Sequence, residues 1–209
     1  MTREAILARL SAQRVLPVLR LADAQTTLDA VGCLHEAGFR VFEVTMTTPD
    51  APALIGALVR ERPDSLIGAG TVVDPASADA CLAHGASFLV TPYPVRGIVA
   101  RCHAAQRPAL IGAFTPGEVA AAIEEGADVV KIFPASTGGP AHVAALQSIF
   151  PGVRLCPTGG IDDERIAAFL KAGAAMVGAG GRLVDRDALA RGDRAAVVAN
   201  ARRYLQHGA

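Results

Sequence analysis

Residues 109–133 read ALIGAFTPGEVAAAIEEGADVVKIF. Ala109–Ala113 is a short apolar run of strand length. Gly117–Glu125 carries apolar residues at helical spacing, and Gly126 follows where a helix needs a left-handed C-cap. Asp128–Phe133 is a second strand-like run, rich in Val and Ile. A strand, a helix, a capping glycine and a new strand make a βα unit. Such units call for parallel strands joined by right-handed crossovers.

The same unit repeats outward in both directions. Further strands are expected at Val15–Arg20, Arg40–Thr45, Leu66–Gly70, Ser87–Thr91, Val153–Pro157 and Ala174–Val177. Helical spacing marks Ala24–Ala37, Ala51–Arg60, Ser77–His84, Val95–Ala105, Pro140–Ser148, Asp163–Lys171 and Ala195–Leu205. Ala37-Gly38, His84-Gly85 and Ala172-Gly173 repeat the capping glycine before the next strand. An amphipathic segment precedes the first strand. About eight such units close naturally into an α/β fold of the (β/α)8 TIM-barrel type, here with an N-terminal helix. A doubly wound open sheet is the competitor. It expects a glycine fingerprint after the first strand, and Leu19-Arg20-Leu21-Ala22-Asp23 has none. No linker, low-complexity tract or composition shift interrupts the chain, so residues 1–209 are expected to form a single domain.

Composition narrows the function. The chain has 209 residues, 51% hydrophobic and 19% charged, which favours a large buried core over disorder. Twenty Lys and Arg balance twenty Asp and Glu, so the electrostatic footprint of a nucleic-acid or membrane-surface binder is missing. Aromatic residues are 4% with no Trp, too few for a base-stacking surface. No apolar stretch suits a membrane span or an export signal, which points to a cytoplasmic protein. Cys33, Cys81, Cys102 and Cys156 form no CxxC pair and read as reduced thiols. The five histidines form no HxH or HExxH pair, so no metal is expected.

A barrel keeps its active site at the C-terminal ends of its strands. Among the twenty cations only Lys131 and Lys171 are lysines. Lys171 lies in the last turn of a helix, where a cation complements the dipole. Lys131 alternates with Val129 and Phe133, a face expected to point into the barrel near its mouth. Burying an ammonium there is costly and favours the neutral amine, a nucleophile toward carbonyl carbon. A structural lysine paired to an interior acid is the competing reading. Glu43, with Val41 and Thr45, shares the inward face of the second strand. A buried Glu beside a buried Lys reads as an inert ion pair or as a proton shuttle beside a nucleophile.

Other polar groups gather at the same mouth: Arg20, Thr45 and Thr47, Thr71, Thr91 before Pro92, and Thr158. Thr115 suits a helix cap as well as a ligand contact. Gly159-Gly160 follows the seventh strand and Gly180-Gly181 the eighth. Loops in those two places often bind phosphate through backbone N–H groups.

These motifs resemble the 2-keto-3-deoxy-6-phosphogluconate (KDPG) aldolases, grouped with the 4-hydroxy-2-oxoglutarate (KHG) aldolases. The resemblance runs through Pro17-Val18-Leu19-Arg20, Phe42-Glu43-Val44-Thr45-Met46, Gly68-Ala69-Gly70-Thr71-Val72, Lys131-Ile132-Phe133-Pro134-Ala135 and Cys156-Pro157-Thr158-Gly159-Gly160-Ile161. It implies a homotrimeric class I aldolase that needs no cofactor and acts on a small 2-oxo acid. Lys131 falls on the Schiff-base lysine and Glu43 on the acid/base glutamate. Thr71 and Thr158 fall near the pyruvate portion, Phe133 beside the lysine, and Gly159 and Gly160 on the phosphate loop, with Pro92, Gly180 and Gly181 as further expected substrate contacts. Two departures stand out. Many members have Arg-Thr-Pro where this chain has Thr47-Thr48-Pro49, and Arg20 is the candidate to replace that charge. Gly181 stands where a serine often contacts phosphate.

The implied reaction releases pyruvate and glyceraldehyde 3-phosphate. With the phosphate loop idle, 4-hydroxy-2-oxoglutarate giving glyoxylate is the alternative. A phosphosugar isomerase or epimerase with Glu43 as base, and a non-catalytic phosphosugar-binding barrel, remain the readings from other classes.

Overall fold

Strand and helix alternate from Val15 onward in the computed structural model, which describes residues 1–208. Helix α1 (Arg3–Gln13) leads into β1 (Val15–Leu19), α2 (Ala24–Ala37), β2 (Val41–Thr45), α3 (Ala51–Glu61), β3 (Leu66–Gly70) and α4 (Pro75–Ala83). Then come β4 (Leu89–Val90), α5 (Ile98–Ala104), β5 (Ala109–Ala113), α6 (Pro116–Glu125), β6 (Val129–Ile132) and α7 (Ala135–Ile149). The chain finishes with β7 (Leu155–Pro157), α8 (Asp163–Lys171), β8 (Val177–Ala179), α9 (Arg186–Ala190) and α10 (Arg194–Gly208). The strands are ordered β7-β6-β5-β4-β3-β2-β1-β8, and their pairings are parallel. A parallel bridge between Thr158 and Gly178 joins the two ends, so the eight strands form a (β/α)8 barrel.

Local chemistry sets the helix ends. Asp23, Asp74 and Asp162 accept hydrogen bonds from the backbone N–H of Thr26, Ser77 and Arg165 at 2.7, 2.8 and 3.2 Å. Thr115 and Glu118 form a reciprocal capping box at the start of α6, so Thr115 is a helix cap. Gly38 and Gly126 take the left-handed cap conformation, with φ of +117° and +93°.

The core has two layers. Phe42, Val44, Ile67, Leu89, Ile111 and Val130 face outward beneath the helices. Inside the ring, Leu16, Val41, Leu66, Phe88, Leu110 and Val129 pack with Ile6, Leu7 and Leu10 of α1. Val41, Leu66 and Val129 open their strands, so α1 stoppers the N-terminal end. Gln13 locks it in place: its amide donates to the carbonyls of Val15 and Val41 and accepts from the N–H groups of Arg40 and Val41.

The main departures from the sequence expectation concern two strands and two helices, while α4 starts at Pro75, α5 at Ile98 and β7 at Leu155 in place of the expected Ser77, Val95 and Val153. The last strand starts at Val177 and not at Ala174, because its register with β1 pairs Val15 with Val177. Gly178 therefore belongs to the strand. The fourth strand contracts to Leu89–Val90. Helix α7 starts at Ala135, before the expected Pro140, with non-helical backbone at Gly139 between its two parts. The five-residue α9 was not anticipated. Among the described residues no helix is long and apolar enough to cross a membrane.

Candidate active site

Four steps around the ring separate β2 from β6. Even so, Lys131 Nζ lies 3.8 Å from Glu43 Oε1. Only two inward-pointing side chains can meet in this way. Both are buried, Lys131 at 5% and Glu43 at 1% exposure. The separation exceeds a hydrogen bond, and Oε1 accepts none from any described residue. Burial pushes the Glu43 carboxyl above its ordinary value, while the charges of Lys131 and Arg20 pull it partly back. A carboxyl in that state is suited to taking up and returning a proton. Cys156 is the register partner of Lys131 on β7, and burial pushes its thiol up to about 12. It remains protonated and is no rival nucleophile.

Above this pair a pocket of about 260 Å³ opens at the C-terminal mouth. Lys131, Phe133, Thr158, Gly159 and Gly160 line one side, and Arg20, Gly180 and Gly181 the other. The Phe133 ring lies 5.6 Å from the Lys131 ammonium position, within cation–π range. Arg20 donates to Thr71 Oγ1 at 3.2 Å. Thr71 holds a left-handed backbone, φ +57°, which is costly for a β-branched residue and typical of functional sites. Two inward glycines make room. A β-carbon on Gly178 would run into the Thr158 side chain, and one on Gly70 into the Glu43 carboxylate. Among the described residues no three His, Cys, Asp or Glu side chains are grouped to hold a metal ion.

The KDPG and KHG aldolase family model matches residues 6–200. The chain belongs to that aldolase family. It is therefore a carbon–carbon lyase. The 2-dehydro-3-deoxy-phosphogluconate aldolase of Pseudomonas aeruginosa is 34% identical over 194 residues, 92% of this chain and 88% of that protein. A Legionella pneumophila KDPG aldolase, solved with pyruvate captured at low pH as a covalent carbinolamine intermediate, superposes with a TM-score of 0.86. It is 30% identical over 94% of this chain and 96% of its own. A Zymomonas mobilis relative, solved with 3-phosphoglycerate, gives a TM-score of 0.85 at 28% identity. There the match covers 97% of this chain and 95% of the other.

In this aldolase the expected residues divide into two groups. Lys131, Arg20, Phe133, Thr158 and the four glycines line the pocket. Glu43 is outside the pocket lining and meets the site beside Lys131, 3.8 Å from its Nζ. Thr71 contacts Arg20 from outside the lining. Thr47 is exposed and is hydrogen-bonded to Thr45, Oγ1 to Oγ1 at 2.7 Å. Pro92 presses its backbone against β5 at Gly112, away from the pocket lining. Sequence reasoning missed Val18, Leu19, Leu21, Val184 and Arg186, which also line the pocket. Val18 was legible as an inward position on β1. Arg186, in the charge-mixed run Arg182–Arg194, carried no signal separating it from a solvated surface.

Proposed function

We propose that the protein is a class I aldolase that cleaves KDPG to pyruvate and glyceraldehyde 3-phosphate through a Schiff base on Lys131. The buried approach of Lys131 to Glu43 beneath an open pocket carries this reading. The Lys131 amine adds to the C2 carbonyl, and the carbinolamine takes up a proton from solvent on its hydroxyl and loses water to give a protonated imine. The Glu43 carboxylate takes the proton of the C4 hydroxyl. As the C4 carbonyl forms, the C3–C4 bond breaks and its electron pair moves into the imine, leaving an enamine and the free aldehyde. Glu43 then returns its proton to C3, and water hydrolyses the protonated imine to pyruvate and the free amine, releasing to solvent the proton taken up when the imine formed. One carboxyl serves both transfers because its protonation alternates.

Arg20 is assigned to the substrate carboxylate, with Thr71 fixing its guanidinium and Thr158 supplying a hydroxyl on the opposite wall. This charge takes the place of the arginine that Thr47 replaces. Phe133 packs over the lysine arm. The glycine loops after β7 and β8 are assigned to the phosphate. A homotrimeric assembly and a cytoplasmic location belong to the same proposal. The four buried free thiols suit a reducing compartment.

Borohydride reduction in the presence of pyruvate tests the mechanism. A pyruvate-derived mass should become fixed to the peptide containing Lys131, and Lys131→Arg should lose both adduct and turnover. Active enzyme without the adduct would point to an isomerase-like use of Glu43 instead.

A further inference from the structure

Arg186 begins α9, just beyond the loop that follows β8, and lines the same pocket as Lys131. Its Nη2 donates to the backbone carbonyl of Arg20 at 2.9 Å, across the seam where β8 pairs with β1. No other hydrogen bond from its guanidinium forms among the described residues.

Its place is informative: Arg186 lacks an acidic partner among the described residues while lining the pocket. Nearby, Arg182 is paired with Asp162 at 3.3 Å, Arg203 with Asp163 at 3.1 Å and Arg194 with Glu36 at 2.9 Å, whereas Arg165 on α8 has no carboxylate partner among the described residues and donates to the Gly160 carbonyl at 3.4 Å. Among the described residues neither Arg20 nor Arg186 has a carboxylate within 4.0 Å. Two uncompensated guanidinium groups therefore face one small pocket in a chain whose formal net charge is zero. Two positive charges lining one pocket favour an anion there.

The two arginines have different neighbours. Arg20 is tied to Thr71 on the β3 side. Arg186 adjoins Gly180-Gly181, a stretch that offers no side-chain donor, and a β-carbon on Gly181 would meet nothing within 4 Å. We propose that Arg186 is a specificity-determining residue that binds the phosphate monoester at the far end of the substrate. It supplies the charge-assisted donors that the glycine loop lacks. The carbonyl of Arg20 holds the guanidinium in place for that contact. This inference rests on the aldolase reading and adds the residue that selects phosphorylated over unphosphorylated aldehyde.

The test compares aldol addition of pyruvate to glyceraldehyde 3-phosphate and to glyceraldehyde, in wild type, Arg186→Ala and Arg186→Lys. Arg186→Ala should lower kcat/KM for the phosphorylated aldehyde about 10- to 100-fold, mainly through KM, and change the unphosphorylated reaction less than about threefold. Arg186→Lys should restore part of the loss, because an ammonium also binds phosphate as a point charge. Binding of glycerol 3-phosphate, read by calorimetry, should weaken about tenfold or more in Arg186→Ala and become less sensitive to salt. Equal losses on both aldehydes, or unchanged glycerol 3-phosphate binding, overturn the assignment. Pyruvate trapping at Lys131 should persist in every variant. Its absence in wild type would instead bring down the Schiff-base reading.

Discussion

The Glu43 carboxylate occupies the space that a β-carbon on Gly70 would fill. The two residues lie on neighbouring inward positions of β2 and β3, and Gly70 is the register partner of Thr45. The glycine is thus a recess shaped for the acid. Gly70→Ala should displace Glu43 from Lys131 and destabilise the fold by about 1–3 kcal/mol through overpacking. The checks are urea denaturation, for the stability loss, and turnover, which should fall further than Thr71→Ala makes it fall. A stable, fully active Gly70→Ala enzyme would contradict the recess.

Glu43→Gln should lower kcat by about 10²- to 10⁴-fold while pyruvate remains trappable at Lys131, because imine formation needs the amine and cleavage needs the acid/base. The same variant reads the raised carboxyl pKa. At pH values below the ordinary carboxyl value of 4.5 the group is protonated in both folded and unfolded chains. As pH rises past that value the unfolded chain ionises first, so the folded state holds the extra proton. Its stability then falls until the folded carboxyl also ionises. Wild type should therefore lose stability relative to Glu43→Gln across that window, as read from urea midpoints at successive pH values. A constant difference would mean that burial does not raise this group.

Arg20→Ala should raise KM for the 2-oxo acid about 10- to 100-fold with a much smaller change in kcat, since it removes a charged hydrogen bond formed before the chemical step. Adding Thr47→Arg to that variant should recover part of the affinity by supplying a cation from the next strand. A fall in kcat at constant KM would place Arg20 in the chemical step instead.

All four thiols are buried. Burial pushes Cys81 up to about 11 and Cys102 and Cys156 up to about 12, and raises Cys33 as well. An aromatic disulfide reagent at pH 8 should leave the folded enzyme unlabelled over minutes and titrate four thiols after denaturation. Fast labelling of any thiol in the folded protein would locate a local opening.

The barrel was legible because each βα unit carries its own signals: a Val- or Ile-rich run, a helical stripe, a capping glycine. The inward faces of β2 and β6 follow from alternation alone, which is why Glu43 and Lys131 stand out in the sequence. Gly178 misled, since glycine inside a strand reads as a turn until the side chain it accommodates, that of Thr158, is seen beside it. Helix α9 is too short to build a periodic stripe. Arg186 escaped because nothing along the chain distinguishes a guanidinium lacking a counter-charge from one that has it. That difference depends on where Asp162, Asp163 and Glu36 fold back to.

The helix that seals the floor of the ring makes this enzyme a one-ended vessel. Ile6, Leu7 and Leu10 close the exit opposite the mouth, so reactant and both products share a single doorway. The three-carbon fragment bonded to Lys131 at the inner end of the pocket must wait for the aldehyde above it to leave. The far end of the ring is thus closed by the first thirteen residues, distant along the chain from the amine that does the chemistry.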